Sequence, residues 1–299
     1  MKSNRIVSFP ADESVGILSR IPDLQESREV QRALESAAET VEARGDIILA
    51  PGQSLSLKVS ENASGNLSAL ARLRTDDLYC LDLSDTRVDD AQLKHLSGLK
   101  SLESILLNRT SVTDAGLLYL QNLTLISRLD LSETTVSDEG LKHLRYMSKL
   151  STLDLSRTSV TDAALLVLRE RSGLQSLMLN YDAITDSGLI YLAELQSLVY
   201  LELDGTRVTD SGLVCLQQIP GLRALSLCDT QVGDAGVMAL TNLRELADLF
   251  LENTRISDRT LEQLSHVSTL ESLHVEGCAV SKRAIERLSA MLPGCIVYG

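Results

Sequence analysis

A fixed period of 24 residues runs through most of this 299-residue chain and constrains its fold more than any other feature. Nine copies follow one another without insertion, and each opens on an apolar residue. Such a period indicates a stack of equal units, each too small to fold alone, that bury their apolar faces against one another. The opening residues are Leu78, Leu102, Ile126, Leu150, Leu174, Leu198, Leu222, Leu246 and Leu270.

The first half of each copy alternates apolar and polar residues, as a half-buried strand does. In the fourth copy, Leu153 and Leu155 point inward, whereas Thr152 and Asp154 point to the opposite face. Seven copies then carry a threonine, whose buried hydroxyl we predict to bridge the backbones of adjacent coils. These residues are Thr86, Thr110, Thr134, Thr158, Thr206, Thr230 and Thr254, and Asp182 and Cys278 depart from the pattern.

The second half of each copy is typical of a helix. Thr113 and Asp114 illustrate the start, where a hydroxyl caps the helix and an acid interacts with the dipole. Gly116 allows close approach of neighbouring turns, and Leu117 and Leu120 continue an inward apolar stripe. We therefore predict helices on the side opposite the strands.

Residues 1–77 do not follow the period and are predicted to form an α/β capping region over the first repeat. The repeats occupy 78–293, and 294–299 adds a closing strand. Residues 60–65 are interpreted as a hinge between cap and repeats. Within the cap, we predict strands at 6–9, 15–18, 46–50 and 55–59, and an amphipathic helix at 24–43.

The full pattern, L-x-x-L-x-L-x-x-T-x-V-[S/T]-D-x-G-L-x-x-L-x-x-L, resembles the leucine-rich-repeat superfamily. It is most similar to bacterial proteins with Thr-x-Val-Thr-Asp-x-Gly-Leu repeats and to the recognition arms of F-box proteins. The resemblance implies an α/β right-handed solenoid, a horseshoe arc with a parallel concave sheet for binding and convex helices. It implies no particular ligand, since such folds host many.

The amino-acid composition indicates which class of partner the chain binds. A net charge of -13 disfavours nucleic acid and anionic membranes, which attract Lys and Arg, and favours a basic protein or peptide. The N-terminus lacks the apolar core of a secretory signal, and five cysteines at unrelated repeat positions suit reduced thiols. These features predict a cytoplasmic protein, which we expect to be a monomer.

The concave face is predicted to be acidic. Eight of its 27 outward strand positions are acids, and Arg128 is the fixed cation among them. Such a surface would attract a basic partner. The alternative is that the acids only keep a long sheet soluble.

Large side chains on this face suggest a pocket. Tyr200 and Phe250 flank a strand that presents Ala224 and Ser226, which would place the two aromatic rings roughly 10 Å apart. This arrangement could hold one apolar anchor of a partner, although the aromatic residues could instead pack along the sheet. The predicted contact set is Met178, Tyr200, Glu202, Asp204, Asp248, Phe250 and Glu252, extended by Asp130 and Asp154.

Catalytic patterns are not evident in the sequence. No Gly-rich phosphate loop occurs, and Cys228 is read as a structural thiol without a histidine partner. His274 could join Glu252 and Glu276 in a weak divalent-metal site, although such groupings are common by chance. We therefore predict no cofactor, no metal and no enzymatic activity.

The sequence thus predicts a non-enzymatic protein-interaction module that binds a basic protein or peptide through an acidic concave sheet. Three alternatives stay open: an inhibitor or effector that masks a basic enzyme, a substrate-recognition subunit of a ligase-like complex, and a structural protein that self-associates through the C-terminal sheet edge near Tyr298.

Overall fold

The structure is a computed structural model that describes residues 5–9, 14–22, 40–44, 46–49 and 53–299. They divide into two compact units, Met1–Leu150 and Ser151–Gly299. In both units, short parallel strands alternate with short helices, as the alternation of the two half-repeats predicts.

The first unit combines the N-terminal strands with the first repeats. Its strands are β1 Arg5–Ser8, β2 Gly16–Pro22, β3 Thr40–Glu42, β4 Asp46–Leu49, β5 Gln53–Val59, β6 Leu78–Asp82, β7 Ser104–Leu106 and β8 Arg128–Asp130. A two-stranded antiparallel sheet pairs β1 with β4. In the larger sheet, β2 runs antiparallel to β3 and β5, and β5 pairs in parallel with β6, followed by β7 and β8.

Two segments of the N-terminal region, 40–42 and 61–64, have a secondary structure that the sequence does not predict. The predicted helix at 24–43 lies mostly outside the described residues, and its end is wrong, because Thr40–Glu42 is strand β3, with Val41 opposite Leu18 of β2. The predicted hinge contains the short helix Glu61–Ser64, in which Ser64 is buried. The boundary between cap and repeats stays a prediction.

The second unit contains seven parallel strands in sequential order. Ser176 lies opposite Tyr200, and Tyr200 lies opposite Ala224, so paired residues occupy equivalent positions of successive copies. The strands are β9 Thr152–Asp154, β10 Ser176–Met178, β11 Tyr200–Glu202, β12 Ala224–Ser226, β13 Asp248–Phe250, β14 Ser272–His274 and β15 Ile296–Tyr298. The predicted C-terminal strand is thus present as β15.

Short helices follow the repeat strands. Many continue as 3-10 turns, for example Ile190–Glu194 after Asp186–Leu189. Ser or Thr side chains cap most of the helices, as predicted. The α-helices of the repeats are Asp90–Leu93, Asp114–Leu117, Asp138–Leu141, Asp162–Leu168, Asp186–Leu189, Asp210–Leu213, Asp234–Leu240, Asp258–Leu264 and Lys282–Met291.

The core consists of the repeated leucines. Leu177, Leu201 and Leu225, at the centres of three adjacent strands, have no exposed surface. Leu189 and Leu213 of the helices are buried equally well. Because each coil completes the core of its neighbour, the strand residues between the leucines are left to face away from it.

Six of the seven repeated threonines act differently from the prediction. The exception is Thr158, whose hydroxyl donates to the Asp182 carboxylate of the next coil at 3.3 Å. Thr86 Oγ1 donates to the carbonyl oxygen of Leu83, 2.6 Å away in the same coil, and so does not bridge adjacent coils. The hydroxyl satisfies a carbonyl where the chain leaves the sheet. Asp182 replaces threonine in one copy, and its carboxylate accepts from the backbone N–H of Thr158 at 2.8 Å. The same local hydrogen bond is made by Thr110, Thr134, Thr206, Thr230 and Thr254.

The repeated aspartates connect successive coils. Asp186, at the start of its helix, accepts from the backbone N–H of Thr209 at 2.7 Å and from its hydroxyl at 2.6 Å. The sequence pattern predicts for this acid only a role towards its own helix dipole. Equivalent pairs are Asp90–Thr113, Asp114–Ser137, Asp162–Thr185, Asp234–Ser257 and Asp258–Ser281.

Asp234 makes this connection dependent on pH. Burial raises the pKa of Asp234, but hydrogen bonds from Thr260 and Ser257 outweigh burial and leave the pKa below its usual value of 3.8. A carboxylate with a lowered folded-state pKa stabilises the fold above its unfolded-state pKa, and this contribution is lost as pH falls through the folded-state value.

We expect Asp234→Asn to lower the free energy of unfolding by about 1 kcal/mol at pH 7, because charged hydrogen bonds are lost from a partly solvated site. The difference from the native chain should shrink at pH 3. Urea unfolding at both pH values measures this difference in the free energy of unfolding, and Glu245→Gln, at an exposed position, is the control. An equal difference at both pH values would contradict this role.

Candidate functional site

The strand side chains of the second unit that point away from the leucine core form a surface that we call the open face. It is mostly half-buried, because each side chain packs against its neighbours on adjacent strands. Its members are Thr152, Asp154, Ser176, Met178, Tyr200, Glu202, Asp204, Ala224, Ser226, Cys228, Asp248, Phe250, Glu252, Ser272, His274 and Glu276.

The strand β12 presents only small side chains to the open face, and we call this part of the face the floor. It contributes Ala224 and Ser226, which are buried, and it is followed by half-buried Cys228. The neighbouring strands β11 and β13 carry larger side chains. The structure thus places two small side chains between strands that carry larger ones.

Carboxylates from both neighbouring strands reach this floor. Asp204, beyond the end of β11, accepts from the Ser226 hydroxyl at 2.5 Å and from the Cys228 backbone N–H at 2.8 Å. Glu252, beyond the end of β13, accepts from the Cys228 thiol at 2.5 Å. Two acids thus lie on opposite sides of Cys228.

A third carboxylate lies next to Asp204. Glu202 accepts hydrogen bonds from the Tyr200 hydroxyl and from the Asn180 side-chain amide. Asn180 also accepts from the backbone N–H of Asp204 at 2.9 Å. The Tyr200 side chain therefore holds an acid in place as well as presenting its ring.

The ionisation of Asp204 reflects this crowding. Burial raises its pKa above the ordinary value, the neighbouring charges of Glu202 and Glu252 raise it further, and hydrogen bonds from Ser226 and Cys228 oppose the change. Burial, together with the hydrogen bond to Glu202, likewise raises the pKa of Tyr200. A cation placed above β12 would relieve this repulsion.

The thiol at the centre of the cluster is not activated. Burial and the hydrogen bond to Glu252 raise the pKa of Cys228 to about 12, so the thiol is protonated at neutral pH. A nucleophilic cysteine needs the opposite shift. All five cysteines are free thiols.

The two predicted aromatic residues occupy different levels of the sheet. Tyr200 is level with Ala224, whereas Phe250 is level with Ser226. Phe250 stacks on His274 with 4.5 Å between ring centroids, and His274 stacks on Tyr298 at 4.3 Å. The three rings form a continuous stack across β13, β14 and β15.

The remaining predicted residues lie outside the cluster at β12. The carboxylates of Asp130, in the first unit, and Asp154 accept from the backbone N–H groups of Ser132 and Ser156, at 3.0 and 2.9 Å. Asp248 accepts from Ser272, and the Met178 sulfur lies 3.3 Å from Ser176 Oγ. The cluster thus unites four predicted residues: Tyr200, Glu202, Asp204 and Glu252.

A second row of side chains follows the ends of the strands, and sequence analysis missed it. The Arg157 guanidinium lies 3.9 Å from the ring centroid of Tyr181, and the Tyr181 hydroxyl donates to Asp229 at 3.0 Å. Asn253 donates to the same carboxylate at 2.9 Å. The ring of Tyr181 lies against Gly205, where any Cβ would approach within 2.3 Å.

This row has an unusual backbone. Arg157, Tyr181, Asp229 and Asn253 have φ values between 56° and 60°, the left-handed region that is uncommon for residues with a side chain. Each N–H reaches the next coil, as Tyr181 N does to the Asp204 carbonyl at 2.6 Å. Together with Gly205, which also has a positive φ, these residues recur every 24 residues, but the repeat pattern did not indicate their backbone conformation.

Comparison with known proteins decides the fold. One family, described as Leucine Rich repeat, matches residues 194–216. Internalin C2 from Listeria monocytogenes is similar in structure, with 25% identity, a TM-score of 0.54, and coverage of 70% of this chain and 82% of internalin C2. The chain has the leucine-rich-repeat fold. The predicted solenoid of parallel strands alternating with helices is confirmed.

Two further structures share the leucine-rich-repeat fold. A leucine-rich-repeat protein of Leptospira interrogans is 18% identical, with a TM-score of 0.52 and coverage of 78% of this chain and 68% of the other. The mouse RP105/MD-1 complex contains a chain that is 20% identical, with a TM-score of 0.55 and coverage of 82% and 45%. No curated protein matches the sequence.

The leucine-rich-repeat fold limits the function. It typically serves protein–protein interaction, it is usually non-catalytic, and no enzyme family is evident among the matches. Among the residues that the structure describes, no helix is both long and apolar enough to cross a membrane. The acidic character, the cytoplasmic location and the bacterial origin stay predictions.

Proposed function

We propose that the chain is a non-enzymatic interaction module whose open face binds a basic protein or peptide. The observation that carries the proposal is the pair of carboxylates, Asp204 and Glu252, that reach the floor of β12 from opposite sides. A Lys or Arg side chain of the partner, placed above Cys228, would contact both. Tyr200 would pack against the aliphatic part of that side chain.

Electrostatics supports a basic partner. Among the members of the open face, the acidic side chains outnumber His274, the single member that can become cationic. Asp204 is half-buried among like charges, so its electrostatic attraction for a bound cation is stronger than that of a fully solvated carboxylate. Complementary charge also speeds association.

The finer features belong to the same proposal. We propose repeats of 24 residues of the bacterial type, a cytoplasmic location, and a contact set that includes Met178, Asp248 and Phe250, with Asp130 and Asp154 as its acidic extension. Masking of a basic enzyme, a ligase-like recognition role and self-association through β15 stay alternative predictions.

Affinity capture from cell extract of the source organism tests the proposal. The native chain should retain a basic protein at low salt, and Tyr200→Ala/Phe250→Ala should retain it at least about tenfold more weakly, because aromatic residues dominate interface energies. Tyr119→Ala/Tyr146→Ala, which removes two exposed aromatic side chains elsewhere, is the matched control.

Two outcomes would contradict the proposal: capture of the same proteins by both variants, or capture that does not depend on salt. The alternatives give other results. An inhibitor would abolish an enzyme's activity on mixing, and a self-associating protein would show a mass that depends on its concentration.

A further inference from the structure

A histidine and two glutamates converge at the C-terminal end of the open face. His274 lies on β14, and Glu252 and Glu276 follow the ends of β13 and β14. One ligand atom from each residue lies within 4.8 Å of the other two. His274 Nδ1 is 3.6 Å from the Glu252 carboxylate and 4.0 Å from the Glu276 carboxylate.

These separations do not fit direct hydrogen bonds. A nitrogen that donates to a carboxylate lies 2.7–3.2 Å from the oxygen, and both distances to Nδ1 are longer. A tetrahedral metal with ligand bonds of about 2.1 Å keeps its ligands roughly 3.4 Å apart. The observed spacing is therefore nearer to that of atoms that share a metal than to that of a hydrogen-bonded pair.

The imidazole is held in a fixed plane. His274 lies between Phe250 and Tyr298, with interplanar angles of 23° and 15°. This stacking holds the ring in one plane, and in that plane Nδ1 faces the two glutamates. A ligand that is already oriented loses little entropy when a metal binds.

Glu252 is also oriented by its neighbour. The Cys228 thiol donates to Oε2 of Glu252 at 2.5 Å, whereas Oε1 is the oxygen nearest His274. Outer hydrogen bonds of this kind orient carboxylate ligands at metal sites.

We propose that His274, Glu252 and Glu276 form a binding site for a divalent transition-metal ion of the Zn²⁺ class. One nitrogen and two carboxylate oxygens suit Zn²⁺ better than Ca²⁺, which prefers six to eight oxygen ligands. Three protein ligands leave the fourth tetrahedral position open to water or to a donor from another molecule. The site does not depend on the proposed function, although Glu252 belongs to both.

Competition between the full chain and a chromogenic zinc chelator at pH 7 tests the site. We expect one Zn²⁺ bound per chain. His274→Gln and Glu276→Gln should each weaken binding at least about tenfold, since loss of even an outer-shell partner costs 10–100-fold. Glu276 is exposed and contacts His274 through its side chain, so Glu276→Gln leaves the fold intact. His143→Gln is the matched control.

Spectroscopy separates this site from adventitious binding by thiols. Co²⁺ in place of Zn²⁺ should give a tetrahedral visible spectrum without a thiolate charge-transfer band, and Zn²⁺ should shift the NMR signal of His274 Nδ1. Any of three results would overturn the site: a thiolate band, unchanged affinity in both His274→Gln and Glu276→Gln, or preference for Ca²⁺ over Zn²⁺.

Discussion

Replacing Gly236 by alanine is expected to lower the free energy of unfolding by about 2 kcal/mol. A Cβ at this position would lie 2.5 Å from Oδ1 of Asp210 and 2.8 Å from its Cα. That carboxylate accepts from the backbone N–H of Gly233 at 2.6 Å, in the hydrogen bond that connects two coils. The added methyl group must therefore displace both a side chain and a backbone.

The magnitude is a balance of opposing effects. Alanine favours a helix over glycine by up to about 1 kcal/mol, which offsets part of the steric cost and of the lost hydrogen bond. Gly221→Ala is the matched control, because the added methyl group there would have the Leu198 carbonyl oxygen, 3.7 Å away, as its nearest neighbour. Chemical unfolding of both variants measures the difference. Equal stabilities would show that the aspartate–glycine contact does not constrain the coils.

The second large effect concerns binding. We expect Glu202→Gln/Asp204→Asn/Glu252→Gln to weaken affinity for a captured basic partner at least about tenfold and to flatten its salt dependence. The amides keep the size of the side chains and an acceptor oxygen for the hydrogen bonds from Ser226 and Cys228. The fold should therefore survive, while the charge is lost.

A matched variant isolates position from net charge. Glu139→Gln/Glu245→Gln/Glu262→Gln removes the same number of charges from exposed positions on or near the helices. Titration by calorimetry at two salt concentrations compares the variants. Equal losses in both would mean that overall charge, not the carboxylates around β12, attracts the partner.

The repeated leucines made the fold predictable from sequence. Positions such as Leu153 and Leu201 recur at the period of the coil, so burial of one predicts burial of all. The acidic open face followed from the same alternation. The threonines were misassigned because periodicity places a hydroxyl but does not identify its acceptor, which for Thr86 is a carbonyl of its own coil.

Contacts within the site were less predictable. Phe250, His274 and Tyr298 occupy equivalent positions of three adjacent strands. Their spacing of 24 residues could therefore have predicted the ring stack, and this was overlooked. The left-handed backbone conformation at Tyr181 could not be predicted from the sequence, because most residues with φ > 0 in this row are not glycine.

Selection of a random-peptide display library on the native chain tests the central claim most directly, with Glu202→Gln/Asp204→Asn/Glu252→Gln as the counter-screen. The account predicts enrichment of peptides that carry Lys or Arg, retained by the native chain and released by the variant. Enrichment of acidic or purely apolar peptides, or equal retention by the two chains, would contradict the account.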